Sequence, residues 1–600
     1  MPVDVLDLIR LVIGIIILII PGYLWSIVLF KKIRWFERII FGFCSSLLLF
    51  SLMFFCMNMA ASISINSTLF WLFYLIFFIP IFFYIGFFWY KKGIKKTLLP
   101  LLKDKTISIL KNRKAWILAG IIIFAGLMML LPHIRDGYFL PFHVDEWEHW
   151  VNTRAVMSTG STSFVHPYTG SGSLRHPEIG FHLITSSILW ASGSNINTVF
   201  VFMPFFLGMF LSLTAFCIGQ RCTSKFGLYA AFTVAFIPTT CRMMGPSFYV
   251  PVGLGLLFVA FSLWLVSQEK IMGSIILGVT VASTFVMHPP TAFAELLIIF
   301  SYSIVLLLKK KIRLSLMTMG VICIPMMLVA FLATRWSYLI DMAIEAFFEG
   351  KQFIDLELPP IWVEFEHLSF LIWGLAAVGV FFSFTKGKTI VKTISLCIFG
   401  FLTIIGLYSK LGYGLPLLYE RSFLFLFLMI TLLSGYAILV LSKVIKDFIS
   451  EKGFIKKSRI KKMFPKFIPY IFLFLIFCLA FPVHLNIPYY QIISEEEYET
   501  FVWIDNNIES YNNQTITYDR AAIDPFKASP FCAVSNLYIV SSSMSPLYGY
   551  SRSEEVLSFL SNCCHDESFL TEFDVSVAYT ASCCNNSNFT MIHPNVYIYK

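Results

Sequence analysis

The sequence is short of charge. Asp, Glu, Lys and Arg make up 13% of its 600 residues, well below the roughly 25% that is typical of soluble domains. This scarcity excludes a highly charged disordered chain, and the net charge of +10 is spread over short loops, unlike a nucleic-acid-binding surface. Walker, GxGxxG and HExxH motifs are absent, which argues against a nucleotide-driven pump and a zinc protease.

Long apolar runs take the place of charge. Hydrophobic residues make up 58% of the chain, the mean hydropathy is +0.77, and apolar runs recur from residue 8 to residue 484. Because about 20 apolar residues span a bilayer, we predict a polytopic α-helical membrane protein with about fourteen transmembrane helices. The run at 179–190 is too short to cross comfortably, so we expect a surface-lying or re-entrant helix there.

The basic residues between these runs predict an orientation. Segments 31–38, 91–114 and 443–466 are rich in Lys and Arg, and such loops stay in the cytoplasm. The loop that follows the apolar run 115–132 is then extracytoplasmic. We therefore expect a multi-pass protein of the plasma membrane, with loop 133–178 and the C-terminal region outside the cytoplasm.

From about residue 485 the chain becomes polar and its pattern changes. Apolar and polar residues alternate at 515–518, 575–579 and 596–599, and the segment 554–560 has a helical pattern. These patterns predict a small extracytoplasmic α/β domain over residues 485–600.

Five of the 13 cysteines lie in this C-terminal domain. On an oxidising face, disulfides between the two vicinal pairs are the favoured interpretation, although spacing alone cannot give the connectivity. A zinc site that includes His565 and free thiols are the alternatives. The cysteines concerned are Cys532, Cys563, Cys564, Cys583 and Cys584.

The loop after the run 115–132 is rich in side chains that can act in catalysis or bind a metal ion. Residues 143–150 contain three carboxylates and two imidazoles, and acidic groups beside hydrocarbon require partners or a function. No helix breaker occurs between Glu146 and Met157, so Asp145 and His149 are expected one helical turn apart on one face. A carboxylate base with an orienting imidazole fits this spacing, and so does a divalent metal site formed by Asp145, Glu146 and Glu148.

The alternative is a solvated helix that lies at the membrane interface. Trp147 and Trp150 are typical of the aromatic belts that anchor such helices. We prefer this interpretation for the two tryptophans and a functional one for Asp145 and Glu146.

The stretch 115–220 resembles the GT-C superfamily of polytopic glycosyltransferases, in particular the protein O-mannosyltransferase and aminoarabinose-transferase-like group. The resemblance is carried by Asp145-Glu146 just after a transmembrane run, by Gly160, and by His176-Pro177 before an apolar helix that contains Phe181. Two features depart from the family pattern. Three spans precede the run 115–132, and His176-Pro177 stands where many members have Pro-Pro.

The resemblance implies three regions and an activity. Residues 1–112 would be an added three-span module, 113–484 the transmembrane catalytic region, and 485–600 an outer domain. The activity would be inverting transfer of a sugar from a polyprenyl-phosphate-linked donor to a protein, lipid or polysaccharide acceptor. A divalent cation, Mg²⁺ or Mn²⁺, is a candidate cofactor, and no nucleic-acid partner is expected.

Residue roles follow from the same resemblance. Asp145 would be the base, with Glu146 as its partner or a metal ligand and His149 beside them. The departing phosphate needs nearby cations or hydrogen-bond donors. Our candidates for this contact are Arg421, Arg242, Arg175, His176 and His288.

A polytopic transporter or a lipid or oligosaccharide flippase is the competing class. Such proteins show internal repeats and charges near the midplane of the membrane. This sequence shows no repeat, its spans are nearly free of midplane charges, and its acidic groups cluster at one surface. The sequence therefore favours an enzyme.

Overall fold

The structure is a computed structural model that describes residues 4–30, 33–92, 113–333, 365–412, 414, 416–451, 458–512, 517–543, 551–582 and 584–600. In these ranges, ten helices are long and apolar enough to cross a membrane, and four shorter apolar helices accompany them. The predicted class is confirmed: the chain is a polytopic helical membrane protein with a small C-terminal domain that contains a sheet.

The helices of the first half follow the apolar runs. In chain order they are α1 (Val5–Leu29), α2 (Trp35–Ala61), α3 (Ser67–Lys92), α4 (Arg113–Asp136), α5 (Val144–Thr159), α6 (Ile179–Ser192), α7 (Ile196–Gln220), α8 (Ser224–Thr233) and α9 (Pro251–Ser267). A short antiparallel hairpin, β1 (Phe164–Val165) and β2 (Ser173–Leu174), lies between α5 and α6.

The second half continues the bundle. Its helices are α10 (Ile271–Met287), α11 (Pro289–Leu308), α12 (Ile312–Gly320), α13 (Cys323–Ala333), α14 (Phe370–Lys386), α15 (Thr389–Leu411), α16 (Pro416–Glu451) and α17 (Ser458–Asn486). Helix α11 begins with Pro289 and Pro290 in its first turn, where a missing N–H costs no hydrogen bond.

Helix α6 is enclosed by protein. Nearly all of its side chains are buried, and it packs against α1, α2, α10 and α5. The backbone of Gly180 approaches that of Met287 so closely that a Cβ at position 180 would lie 2.8 Å from it, and the Ser51 hydroxyl donates to the Gly180 carbonyl at 3.0 Å. The surface-lying alternative is therefore wrong, because nearly all side chains of this helix are covered by other helices.

The first three helices are part of the same bundle. Helices α1 and α2 pack on each other and on α6, and α2 also contacts α10. At the end of α2, Asn58 donates to the carbonyl of Gly160, which closes α5 with φ +65°. The Thr162 hydroxyl in turn donates to Asn58 at 2.6 Å. The N-terminal helices thus hold the end of the loop helix α5.

The C-terminal domain is built on a five-stranded sheet in the order β4-β3-β5-β7-β6. The β3 strand pairs in parallel with β4 and β5, and the other pairs are antiparallel. The elements are α18 (Glu495–Asn507), β3 (Arg520–Ala522), α19 (Ala528–Ser535), β4 (Tyr538–Ile539), α20 (Ser553–Ser561), α21 (Glu567–Phe573), β5 (Val577–Tyr579), β6 (Phe589–His593) and β7 (Val596–Tyr599).

The local predictions for this domain are confirmed at three places. The strands predicted at 575–579 and 596–599 correspond to β5 and β7, and the helix predicted at 554–560 corresponds to α20. The strand predicted at 515–518 falls largely outside the described residues, and the described strand in that region, β3, begins at Arg520.

The C-terminal domain is fastened to loop 133–178. Arg154 of α5 donates to the carbonyl of Ala533 at 2.7 Å, and the backbone N–H of Ile539 donates to the carbonyl of Tyr168 at 2.7 Å. Arg520 donates to the carbonyl of Thr169 at 2.8 Å. Loop and domain therefore lie at the same end of the bundle and hold each other in place.

The cysteines of this domain are in two states. Cys563 is disulfide-bonded, whereas Cys564 and Cys584 are free and their thiols are hydrogen-bonded to each other. Cys583 lies outside the described residues, so the predicted pairing of the vicinal cysteines stays a prediction.

Candidate active site

The start of helix α5 is fixed by its own side chains. His143 is the N-cap, and its Nδ1 accepts from the backbone N–H of Asp145 at 3.1 Å. Glu146, three residues further on, accepts from the backbone N–H of His143 at 3.1 Å. This reciprocal capping box satisfies N–H groups that a helix start leaves unpaired. It also sets the directions in which the first-turn carboxylates point.

Glu146 is committed to backbone groups. Its Oε2 accepts from the N–H groups of Phe142 and His143, and its Oε1 accepts from the N–H of Tyr249 at 2.9 Å. The side chain is 0% exposed. Burial raises the pKa of Glu146 to about 7, against the lowering effect of these N–H donors. Glu146 therefore ties the start of α5 to the segment before α9.

Asp145, its neighbour, is accessible. Its side chain keeps 21% exposure, and His143 Nδ1 lies 3.4 Å from its Oδ1. Burial by itself raises the pKa of the Asp145 carboxyl, but the neighbouring His143 side chain and the charges of His149 and Arg421 outweigh it. The net pKa lies below the ordinary value, so Asp145 is an ionised carboxylate that a substrate can reach.

Trp147 and Trp150 are not interfacial anchors. Their exposures are 0% and 3%, and the two rings stack with centroids 5.2 Å apart. Trp150 also stacks on Phe200 of α7. The prediction of aromatic-belt anchors is wrong, because α5 is covered by other protein segments and both rings pack against them.

The charge of Arg421 acts to lower the pKa of each of four groups: Asp145, His149, Glu178 and His288. We call these five residues the Asp145 cluster. Arg421 donates to the carbonyl of Arg242 at 2.8 Å, and its buried Nε has no hydrogen-bond partner.

Glu178 is a second reachable carboxylate in this cluster. Its side chain keeps 19% exposure, with Oε2 3.7 Å from His149 Nε2 and Oε1 3.5 Å from His288 Nε2. Burial raises the pKa of Glu178 to about 7, against the lowering charges of His176 and Arg421. Burial likewise lowers the pKa of His149 to about 3, with the charge of His176 acting in the same direction, so His149 is neutral.

Three imidazoles meet beside the Asp145 cluster. One ring nitrogen from each of His149, His176 and His182 lies within 4.8 Å of those of the other two, and all three side chains are buried. We call them the histidine cluster. His176 Nε2 lies 3.5 Å from Glu148 Oε1. Such a set of nitrogen and carboxylate donors is able to hold a metal ion.

Solved structures resemble this chain in fold. The oligosaccharyltransferase of Archaeoglobus fulgidus in its apo form aligns with a TM-score of 0.51 and 11% identity, over 78% of this chain and 70% of that one. This chain has the GT-C fold. The same archaeal enzyme in complex with an inhibitory peptide and a dolichol-phosphate aligns with a TM-score of 0.50 and 11% identity, over 78% and 69% of the two chains.

A third solved structure aligns with a lower TM-score. ArnT from Cupriavidus metallidurans in the apo state aligns with a TM-score of 0.44 and 9% identity, over 79% of this chain and 97% of that one. No protein-family model matches the sequence, and no curated protein matches it. The match to the archaeal oligosaccharyltransferase confirms, for the fold, the resemblance inferred from residues 115–220.

Within this GT-C fold, most of the predicted site residues come together. Asp145, His149, His288 and Arg421 belong to the Asp145 cluster, and Arg242 adjoins it through its carbonyl and forms an ion pair with Glu420 at 3.3 Å. Glu146 and Glu148 lie on the same helix and His176 in the histidine cluster. Arg175 is exposed. The role of Arg175 stays a prediction.

Sequence reasoning missed Glu178 and His182. Both follow His176-Pro177 at the start of an apolar helix, four residues apart, so they share one face of α6. A carboxylate and an imidazole four residues apart in a largely apolar helix could have indicated that both belong to a site. The partner of Glu146, the backbone of Tyr249, left no signal, because any residue type can supply an N–H.

Proposed function

We propose that this chain is a membrane glycosyltransferase that moves a sugar from a polyprenyl-phosphate-linked donor to an acceptor on the extracytoplasmic face. The observation that carries the proposal is Asp145, an ionised and reachable carboxylate whose pKa is lowered in part by the charge of the buried Arg421. The GT-C fold supports it. A lipid-linked donor is confined to the bilayer, and the Asp145 cluster lies at an end of the bundle.

In the proposed reaction, an acceptor hydroxyl attacks the anomeric carbon of the sugar. The bond from that carbon to the phosphate oxygen breaks, its electron pair leaves with the phosphate, and Asp145 takes the hydroxyl proton. A single displacement of this kind inverts the anomeric configuration. The centre resembles an oxocarbenium ion at the transition state, and the carboxylates of Asp145 and Glu178 would stabilise its charge.

Arg421 would hold the departing phosphate. A guanidinium is a planar fork that matches phosphate geometry, and the unpartnered Nε of Arg421 is a donor that a ligand could satisfy. Arg421 is also anchored, because one of its Nη atoms donates to the carbonyl of Arg242. His288, which faces Glu178, would border the same space.

Glu146 is proposed as a positioning residue rather than a second base. Its two oxygens accept three backbone N–H groups, so it sets the direction of the turn that carries Asp145. For the same reason Glu146 has no free oxygen ligand for a Mg²⁺ or Mn²⁺ ion, so such an ion would have to be held without it.

The test is transfer by the full-length chain in liposomes. The probes are polyprenyl-phosphate-linked hexoses and pentoses, and the acceptor is envelope extract from cells that lack the chain. We expect Asp145→Asn to lower the rate about 10²- to 10⁴-fold, the range for loss of a general base. Asp136→Asn is the matched control, because its surface ion pair with Arg135 contributes little.

Two outcomes would overturn the proposal. One is full transfer activity of Asp145→Asn in a chain that is folded and correctly inserted. The other is movement of the intact donor lipid across the liposome membrane with no sugar transferred to any acceptor, which is the behaviour of a flippase. The sugar and the acceptor class are read from the glycan profile of the cells that lack the chain.

A further inference from the structure

The three imidazoles of the histidine cluster come from three different segments. His149 lies on α5, His176 lies between β2 and α6, and His182 lies on α6. Their exposures are 4%, 5% and 0%. Three polar rings packed together in a buried place are costly unless their nitrogens find partners. The partners of each ring determine which nitrogen carries the proton.

His182 has one engaged nitrogen and one unpartnered nitrogen. The Thr153 hydroxyl donates to the carbonyl of His149 at 2.7 Å, so towards His182 Nδ1, at 3.2 Å, Thr153 acts as an acceptor. His182 Nδ1 therefore carries the proton. The lone pair is on Nε2, which is buried and has no hydrogen-bond partner.

His149 and His176 follow the same pattern with carboxylates. His149 Nε2 faces Glu178 Oε2 at 3.7 Å, and the buried Nδ1 on the other side of the ring has no hydrogen-bond partner. His176 Nε2 faces Glu148 Oε1 at 3.5 Å, and its Nδ1 accepts the backbone N–H of Glu178 at 3.1 Å. In both rings one nitrogen faces a carboxylate. The other nitrogen of His149 presents a free lone pair, whereas that of His176 would have to exchange the N–H of Glu178 for a metal ion.

This arrangement is typical of metal-ligating histidines, which present one nitrogen to the metal and donate the other N–H to a carboxylate or another acceptor. Thr153, Glu148 and Glu178 supply these outer acceptors. Imidazole ligands select zinc and the later first-row metals over Mg²⁺ and Mn²⁺, which prefer oxygen.

We propose that His149, His176 and His182 bind one zinc ion. The ion would join α5, the segment after β2 and the first turn of α6. It would thereby fix the distance between the helices that carry Asp145 and Glu178. The binding of zinc is independent of the proposed function, and only its effect on sugar transfer rests on that function.

The experiment measures metal on the full-length chain, purified in detergent without chelators, in the absence of any substrate. Elemental analysis is expected to find one zinc per chain, and titration with Zn²⁺ against a competing chelator gives the dissociation constant. His182→Ala should lower the zinc content at least tenfold. Thr153→Val, which removes the outer acceptor of His182 and keeps all three imidazoles, should weaken binding about 10- to 100-fold. His166→Gln, in the same loop and not part of the cluster, should leave both values unchanged.

Replacement of zinc by Co²⁺ adds a readout that a folding defect does not imitate. The visible absorption of Co²⁺ bound to nitrogen ligands should be present in the wild-type chain and absent in His182→Ala. If His182→Ala does not fold, as judged by size-exclusion chromatography, Thr153→Val decides the question.

The proposal is overturned if the wild-type chain takes up no zinc. It is also overturned if the folded His182→Ala chain, or Thr153→Val where His182→Ala does not fold, binds zinc as tightly as the wild type. Because no sugar is present, these results are distinct from a failure of the proposed transferase activity.

Discussion

Two polar clusters occur at opposite ends of helix α2. At its start, Glu37 forms a close ion pair with Arg221, whose Nη2 also donates to Gln268 at 2.6 Å, and Trp264 donates to Glu37 at 3.2 Å. The other end of α2 contacts the loop of the Asp145 cluster through Asn58. The two ends are about 30 Å apart along the helix axis, which is close to the thickness of a bilayer core.

The two clusters differ in how their charges are neutralised. In the Glu37 cluster, acid and base are in direct contact, and the second carboxylate oxygen accepts the N–H of Arg34 at 2.8 Å. In the Asp145 cluster, Glu178 stands 3.5 and 3.7 Å from two imidazoles, and nitrogens of His149 and Arg421 have no hydrogen-bond partner. The first arrangement is complete without a ligand, whereas the second leaves donors and lone pairs for one. The first should govern stability and the second activity.

The largest effect on stability is expected from Glu37→Ala. The change leaves Arg221 without its carboxylate, and loss of one partner of a buried pair costs about 3–5 kcal/mol. Because Arg221 keeps 30% exposure, we expect the lower end, about 3 kcal/mol, as a lower thermal midpoint in detergent. Sugar transfer per folded chain should be unchanged. The control is Glu269→Ala, which breaks an exposed pair with Lys311. If Glu37→Ala also lost specific activity, the division of stability and activity between the two clusters would be wrong.

A smaller and mixed effect is expected from Glu146→Gln. The amide offers one oxygen in place of two, so at least one of the three backbone N–H groups loses its acceptor, at a cost of about 1–3 kcal/mol. The turn that carries Asp145 should shift, and transfer should fall about tenfold, since small misplacements of catalytic groups are costly. Thermal unfolding and transfer rates are measured together, with the exposed Glu499→Gln as the control. A loss as large as that of Asp145→Asn, with no change in stability, would mean that Glu146 takes part in the chemistry.

The smallest effect is expected from Arg421→Lys. The substitution keeps the charge and loses the planar fork that grips a phosphate at two points. We expect KM for the lipid-linked donor to rise about tenfold, equivalent to about 1.4 kcal/mol, with little change in kcat or in the thermal midpoint. Arg10→Lys, which changes an exposed arginine paired with Asp7, serves as the control. An unchanged KM would assign the phosphate contact to another residue.

The parts of the fold that depend on local pattern were predictable. The apolar runs predicted the helices, and α5 was expected because no breaker occurs between Glu146 and Met157. Alternation predicted β5 and β7. The parallel pairing of β3 with β4 and β5 was not predictable, because it joins residues that lie far apart in the chain.

The site was predictable to the extent that it lies in one loop. Asp145 and Glu146 are neighbours with the same chemistry, yet they are 21% and 0% exposed. Glu146 is turned inward by the backbone N–H of Tyr249, about a hundred residues later, and the sequence of the loop does not reveal this contact. The prediction that Trp147 and Trp150 are aromatic-belt anchors was wrong for a related reason. A tryptophan at the membrane interface and a buried tryptophan have the same local sequence pattern.

Loop 133–178 obtains its last contacts late in synthesis. The carbonyl that Arg154 binds belongs to Ala533, 379 positions further along the chain, and the N–H that Tyr168 binds belongs to Ile539. A nascent chain therefore contains its whole bundle before loop 133–178 can make these contacts. A chain truncated before residue 533 should leave α5 without the acceptor of Arg154, which links the folding of this loop to the synthesis of the C-terminal domain.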